Sequence, residues 1–212
     1  MKKQIVLALA SVLFLFSFKS NAQEKTAFEQ GTVVATIGYG FPDLYRSTLK
    51  VAYNGYKSKT VFGLGPIILK GDYGIYKFKW GHTVGAGIVL GYNSTTIKFD
   101  YSHYNKGQGK YVDYTETDIY RTITVGARGS YHFFTKEKFD CYASIGLGLN
   151  VNTAVQSTDN PDGANISVSK RSGVYESFTV GIRYYFTKNF GVYSELGWDM
   201  SAPIQGGFGL KF

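Results

Sequence analysis

Cysteine, proline and long apolar runs are scarce in this 212-residue chain. Its one cysteine, Cys141, excludes an internal disulfide framework, and no cysteine follows the first apolar stretch to carry a lipid anchor. Only four prolines interrupt it. Beyond residue 18 no segment approaches the ~18 consecutive apolar residues that a membrane-spanning helix needs. The charge surplus is thin as well. The formal net charge is +8, and without residues 1–22, which carry Lys2, Lys3, Lys19 and no acid, it falls to +5. That excess is spread along the chain, whereas nucleic-acid binding would gather it into a stripe or helix, so no nucleic-acid partner is expected.

The beginning of the chain is distinctive. Lys2 and Lys3 precede an apolar or small run from Ile5 to Phe18, and Ser20-Asn21-Ala22 supplies small residues before Gln23. This is the layout of a cleavable secretory signal peptide over 1–22, with an apolar core too short to span a membrane. A short periplasmic N-terminal segment, 23–30, and one domain over 31–212 are expected to follow.

Abundant residues define that domain: 18 Tyr, 16 Phe and 26 Gly. They are arranged with a period of two. From Cys141 to Val155 the odd positions are mostly apolar, and the even ones, Tyr142 through Ala154, are small or polar. The same split separates Phe178, Val180, Ile182 and Tyr184 from Thr179, Gly181, Arg183 and Tyr185, and Ile204, Phe208, Leu210 and Phe212 from Gln205, Gly207, Gly209 and Lys211. Each such segment is a strand separating two environments. Eight strands are predicted, at about 31–40, 61–75, 81–101, 117–134, 140–156, 174–186, 190–200 and 203–212. Connections near 76–80, 135–139 and 187–189 are short. Those near 41–60, 102–116 and 157–173 read as long polar loops, and the last, around Ser201-Ala202, is very short.

Alternation alone would also suit a soluble antiparallel sandwich. Two features favour an all-β, eight-stranded antiparallel up-and-down transmembrane β-barrel. The polar faces mix Lys70, Asp72, Arg128, Arg183, Glu195 and Asp199 with many glycines, as a narrow closed lumen requires. The apolar faces set aromatics near strand ends (Tyr39, Tyr73, Tyr131, Phe133, Tyr184, Phe186, Trp198, Phe212), where interfacial girdles lie. Lipid tolerates only closed sheets.

The terminal stretch Gln205-Gly206-Gly207-Phe208-Gly209-Leu210-Lys211-Phe212 ends on an aromatic residue and resembles the terminal-strand signal of outer-membrane barrels. Leu64 to Gly74 resembles the second strand of the OmpA/OmpX-like superfamily of small eight-stranded outer-membrane barrels. The resemblance covers essentially all of 31–212 and is confined to the barrel, so it implies no peptidoglycan-binding domain. It implies a Gram-negative outer-membrane location and recognition of Phe212 by the barrel-insertion machinery.

Motifs for other chemistry are weak. Gly85-Ala86-Gly87 with Gly91 lacks the helix a dinucleotide loop must open. Thr158-Asp159-Asn160-Pro161-Asp162-Gly163 would begin a calcium loop on Thr, with Ser169 in place of the bidentate Glu, so turn chemistry is the better reading. Asn93-Ser94-Thr95 and Asn165-Ile166-Ser167 are uninformative glycosylation matches in a bacterial setting. Ser102 and His103, adjacent in an extended segment near Asp100, point to opposite faces. Ser130 and His132 share one face, but the sequence shows no third group to orient the base. Three scattered histidines make a poor metal site. No cofactor, metal site or catalytic residue is therefore expected.

An eight-stranded barrel has an interior just wide enough for its own side chains. The six charges named above are expected to fill it as a structural network, with Arg183 and Glu195 in direct contact. Function would then rest on the loops, where Tyr45, Arg46, Tyr53, Tyr56, Tyr104, Lys106, Lys110 and Tyr111 form an aromatic-basic rim able to meet a ligand or lipopolysaccharide phosphates. The expected function is a non-catalytic, monomeric surface protein, structural or adhesive. Alternatives are a narrow channel or carrier for small hydrophobic molecules and, third, a lipid-modifying enzyme.

Overall fold

The computed structural model describes residues 26–105, 107–161 and 166–212. The segment 1–22 and the expected cut at Gln23 lie outside these residues, as do Lys106, Asp162, Gly163 and Asn165. The described strands are β1 (Val33–Phe41), β2 (Lys57–Lys77), β3 (Thr83–Asn105), β4 (Lys110–Thr135), β5 (Phe139–Thr158), β6 (Ile166–Tyr185), β7 (Phe190–Asp199) and β8 (Ala202–Lys211). Each pairs antiparallel with its sequence neighbour, and β1 also pairs with β8, from Val34↔Lys211 to Phe41↔Ile204. The sheet is a closed barrel, so no strand is left as an outer edge over its full length.

The period-two pattern is resolved by closure. Outward-facing Ile37, Leu69, Ile88, Ile145, Leu147, Val174, Phe178 and Leu210 are all exposed, Leu147 at 66%. Inward-facing Lys70, Asp72, Arg128, Arg183, Glu195, Asp199 and Gln205 are all buried, as are Tyr142, Tyr175, Tyr185 and Tyr193. A water-soluble sandwich would have the opposite arrangement. An apolar exterior around a charged interior makes this a transmembrane β-barrel. Among the described residues no helix is long and apolar enough to cross a membrane.

Strand lengths are unequal. β2 to β6 run for 20 to 26 residues, whereas β1, β7 and β8 have nine or ten. Five strands therefore rise beyond the others as a wall at the loop end. The segments 102–116 and 157–173, read from sequence as long loops, are largely ladder: β3 and β4 stay paired to Asn105↔Lys110, and β5 and β6 to Ser157↔Ile166. The outer face of this wall is polar (Thr96, Lys98, Asp100, Thr115, Thr117), while the inner face mixes Ile97, Phe99 and Tyr114 with Asp118, so the apolar-outside alternation that marks the lower strands is lost there.

The segment 41–60 also departs from a loop, because it contains helix α1 (Leu44–Ala52). Asp43 caps it, its carboxylate accepting from the Arg46 amide at 3.1 Å. At the opposite end, Thr26–Gln30 is tucked into the barrel mouth. Ala27 and Phe28 are fully buried, and the Ala27 amide donates to the Lys136 carbonyl at 2.6 Å. Gly74 makes this passage possible, since a Cβ there would stand 2.1 Å from the Glu29 carbonyl oxygen.

Candidate functional site: the luminal ion chain and the loop-end rim

The buried charges form one alternating chain across the lumen. Lys70 on β2 contacts Glu195 on β7 and stands 2.8 Å from Asp199. Arg128 on β4 bridges Glu195 at 3.2 Å and Asp72 at 3.3 Å. Arg183 on β6 contacts Asp72 and reaches Asp140 at 3.6 Å. Reading along it, carboxylate and cation alternate: Asp199, Lys70, Glu195, Arg128, Asp72, Arg183, Asp140. Each cation therefore serves two carboxylates. Neutral groups complete the shell: Tyr142 donates to Glu195 and Tyr175 to Asp199, both at 2.8 Å, and the Gln205 amide oxygen accepts from Lys70 at 2.8 Å.

The expected direct contact between Arg183 and Glu195 is replaced by this longer route. Arg183 pairs in register with Tyr193, and Glu195 with Gly181, so the two are diagonal neighbours. Tyr142 comes between them: a Cβ on Gly181 would stand 2.5 Å from its ring and 2.8 Å from the Glu195 side chain. The Arg183 guanidinium stacks over the Tyr142 ring, 4.3 Å from its centre, while the hydroxyl goes to Glu195. The remaining predicted members, Lys70, Asp72, Arg128 and Asp199, all lie in the chain.

Sequence reading missed Asp140. It is fully buried and opposite Arg183 in the β5–β6 register. The available signal was its parity, because Asp140 continues the inward series Tyr142, Ser144 and Gly146 by one pair. Asp140 is also the third group that sequence reading did not find beside Ser130 and His132, since it stands 2.8 Å from the His132 ring. At the wall, Ser102 donates to Asp113 and Asp100 accepts from Thr115, so neither joins His103 in a relay.

The predicted rim divides into two kinds of residue. Arg46 and Tyr53 point into the barrel mouth: Arg46 donates to the Gly65 carbonyl at 3.0 Å and pairs with Asp43 at 3.2 Å. Tyr53 donates to Asp118 at 2.8 Å and lies 5.1 Å from the Phe99 ring. They fasten α1 over the lumen and are not free contact residues. Tyr45, Tyr56, Tyr104, Lys110 and Tyr111 are exposed, with Tyr104 and Tyr111 packed edge to face across the β3–β4 hairpin at 5.4 Å. Lys106 lies outside the described residues. A cavity of about 180 Å³ opens between α1 and the wall, lined by Tyr45, Tyr120, Thr122, Asn152 and Arg171 among others.

Titration at this end is shifted by crowding. Burial, then hydrogen bonds to Tyr120 and Asp118, push the Tyr53 hydroxyl well above its ordinary range. Burial and the neighbouring Asp118 carboxylate raise Glu116.

No known family profile matches the chain, and no curated protein matches it significantly. Solved structures resemble it in architecture. The attachment invasion locus protein Ail of Yersinia pestis is 13% identical, with 86% of this chain and 99% of that one covered and a TM-score of 0.41. The N-terminal β-barrel domain of Pseudomonas aeruginosa OprF is 15% identical, with 89% and 100% covered and a TM-score of 0.38. The eight-strand architecture of this chain rests on its own closed pairing.

Proposed function

We propose that this chain is a monomeric outer-membrane protein of a Gram-negative cell, closed to solutes, that binds partners through its raised loop-end wall. The observation that carries the reading is the filled lumen: seven alternating charges and four buried tyrosines occupy an interior that, with eight strands, has little room beyond its own side chains. With the conducting path closed, the outer surface is left to carry function. The wall is suited to that, since Tyr56, Tyr104, Tyr111 and Lys110 present rigid aromatic area and a positive charge, a composition favoured at binding surfaces. Lipopolysaccharide phosphates are one ligand such a rim would hold.

In this reading the signal peptide at 1–22 directs export and Phe212 marks the chain for the insertion machinery. The latter residue closes the barrel, its amide donating to the Val33 carbonyl at 2.9 Å and its carbonyl accepting from Val33 at 3.2 Å. The structural role of the ion chain is to neutralise a lumen that could not hold unpaired charge. Planar-bilayer recording of the refolded protein tests the closed lumen: no steady single-channel current is expected, and reproducible steps would replace this reading with the channel.

A further inference from the structure

One buried cluster is larger than the ion chain requires. Ser130 and His132 lie on the inner face of β4, and Asp140 faces them from β5. The Ser130 hydroxyl stands 3.0 Å from His132 Nε2, and His132 Nδ1 stands 2.8 Å from Asp140 Oδ1. All three are buried. With Nδ1–H donating to the carboxylate, Nε2 is left to accept the serine proton. That is the order of a nucleophile, a base and an orienting group.

The space in front of this relay is taken by the chain itself. The Phe28 ring lies parallel to the His132 imidazole, 3.7 Å between centres and 11° between planes. A Cβ on Gly85 would stand 2.6 Å from the Ser130 hydroxyl and 3.1 Å from the tip of Phe28, so both border one spot that only glycine leaves open. The Arg183 guanidinium is 5.9 Å from the Phe28 ring centre, and its Nε and Nη1 make no hydrogen bond to described residues. The space that the Phe28 ring fills is thus bordered by a hydroxyl, an imidazole and, farther off, a guanidinium.

We propose that the terminus end of the lumen holds a latent esterase site, with Ser130 as nucleophile, His132 as base, Asp140 as its positioning partner and Phe28 occupying the substrate position. The substrate class is a small neutral ester carrying a flat group that can replace the Phe28 ring. Ser130 Oγ bonds to the carbonyl carbon as its proton passes to His132 Nε2. The ester C–O bond then breaks, and the leaving oxygen takes that proton, giving acyl-serine and free alcohol. Water repeats the cycle through His132 to release the acid and restore the serine. Arg183 supplies positive charge beside the carbonyl oxygen as it becomes anionic. The resting protein is inert because Phe28 covers the relay.

The test uses the refolded full-length barrel, its fold checked by heat-modifiable gel mobility, and an alkyl fluorophosphonate probe with adducts located by mass spectrometry. Wild type is expected to label weakly and Phe28→Ala to label at Ser130. Phe28→Ala is also expected to hydrolyse p-nitrophenyl acetate at least about tenfold faster than Phe28→Ala/Ser130→Ala. Adding His132→Ala should abolish the adduct. A folded Phe28→Ala protein without an adduct at Ser130, or one that keeps it when His132 is removed, overturns the proposal. Should Phe28→Ala not fold, Phe28→Leu carries the same two outcomes.

Discussion

At the scale of single residues, the sharing of carboxylates governs what a substitution does. Arg183 touches both Asp72 and Asp140. Removing it leaves two buried acids short of a cation, and breaking buried pairs in this way costs about 3–5 kcal/mol. Arg183→Ala should lower unfolding stability in detergent or bilayer by about that amount. The Arg183→Ala/Asp72→Ala double variant should lose less than the sum of its parts, and additive losses in urea titrations would remove the coupling.

Glu116 offers a pH signature outside the membrane-spanning part of the barrel. Its raised value, from burial and then Asp118, means that the folded rim holds the proton more tightly than an unfolded chain does. The associated stability is full below the ordinary glutamate value of about 4.3 and is lost as pH rises through the raised one. Glu116→Gln should flatten the pH dependence of rim opening, read by hydrogen exchange in 44–60 and 110–120. An unchanged profile would assign that dependence to another group.

Among the elements, helix α1 is the most vulnerable. Its nine residues include none that is buried, so it lacks a core face and depends on its ends. Asp43 caps the Arg46 amide, pairs with the Arg46 guanidinium and accepts from Asn93 at 3.1 Å, while Tyr53 anchors the far end on Asp118. Asp43→Ala should cost about 0.5–2 kcal/mol locally. The expected outcome is faster proteolysis between 44 and 56 with the heat-modifiable gel shift of the barrel unchanged. Equal protection of both proteins would show that α1 is held by other contacts. The strands differ in this respect, since each is bonded along its membrane-level portion on both sides.

For the whole molecule, inside and outside are exchanged relative to a water-soluble sandwich. A nitroxide at Leu147, exposed at 66%, should be quenched by lipid-soluble relaxation agents, and one at Thr124, exposed at 1%, should be shielded from them. The reverse pattern would invert the barrel. The asymmetry of the wall also belongs to this scale. Above the short β7–β8 hairpin, the upper parts of β2 and β6 have no strand paired on one side among the described residues, and α1, whose first amide donates to the Ser201 carbonyl at 3.0 Å, starts from that gap.

Sequence alone determined the class of fold, the number of strands and the side of each residue, because parity along a strand is a local property and closure merely assigns one parity to lipid. Lys70, Asp72, Arg128, Arg183, Glu195 and Asp199 were legible for that reason. Which of them touch was not legible, since Arg183 reaches Asp72 across 111 positions of sequence and its turning away from Glu195 depends on where Tyr142 lies. The raised wall was hidden because its outer face turns polar above the level where lipid requires apolar residues, and the helix because its nine residues are few and none is buried. The relay of Ser130, His132 and Asp140 beneath Phe28 required tertiary structure most of all. Its members come from the neighbouring strands β4 and β5, but their burial depends on the terminal segment carrying Phe28, which only the folded barrel mouth brings over them.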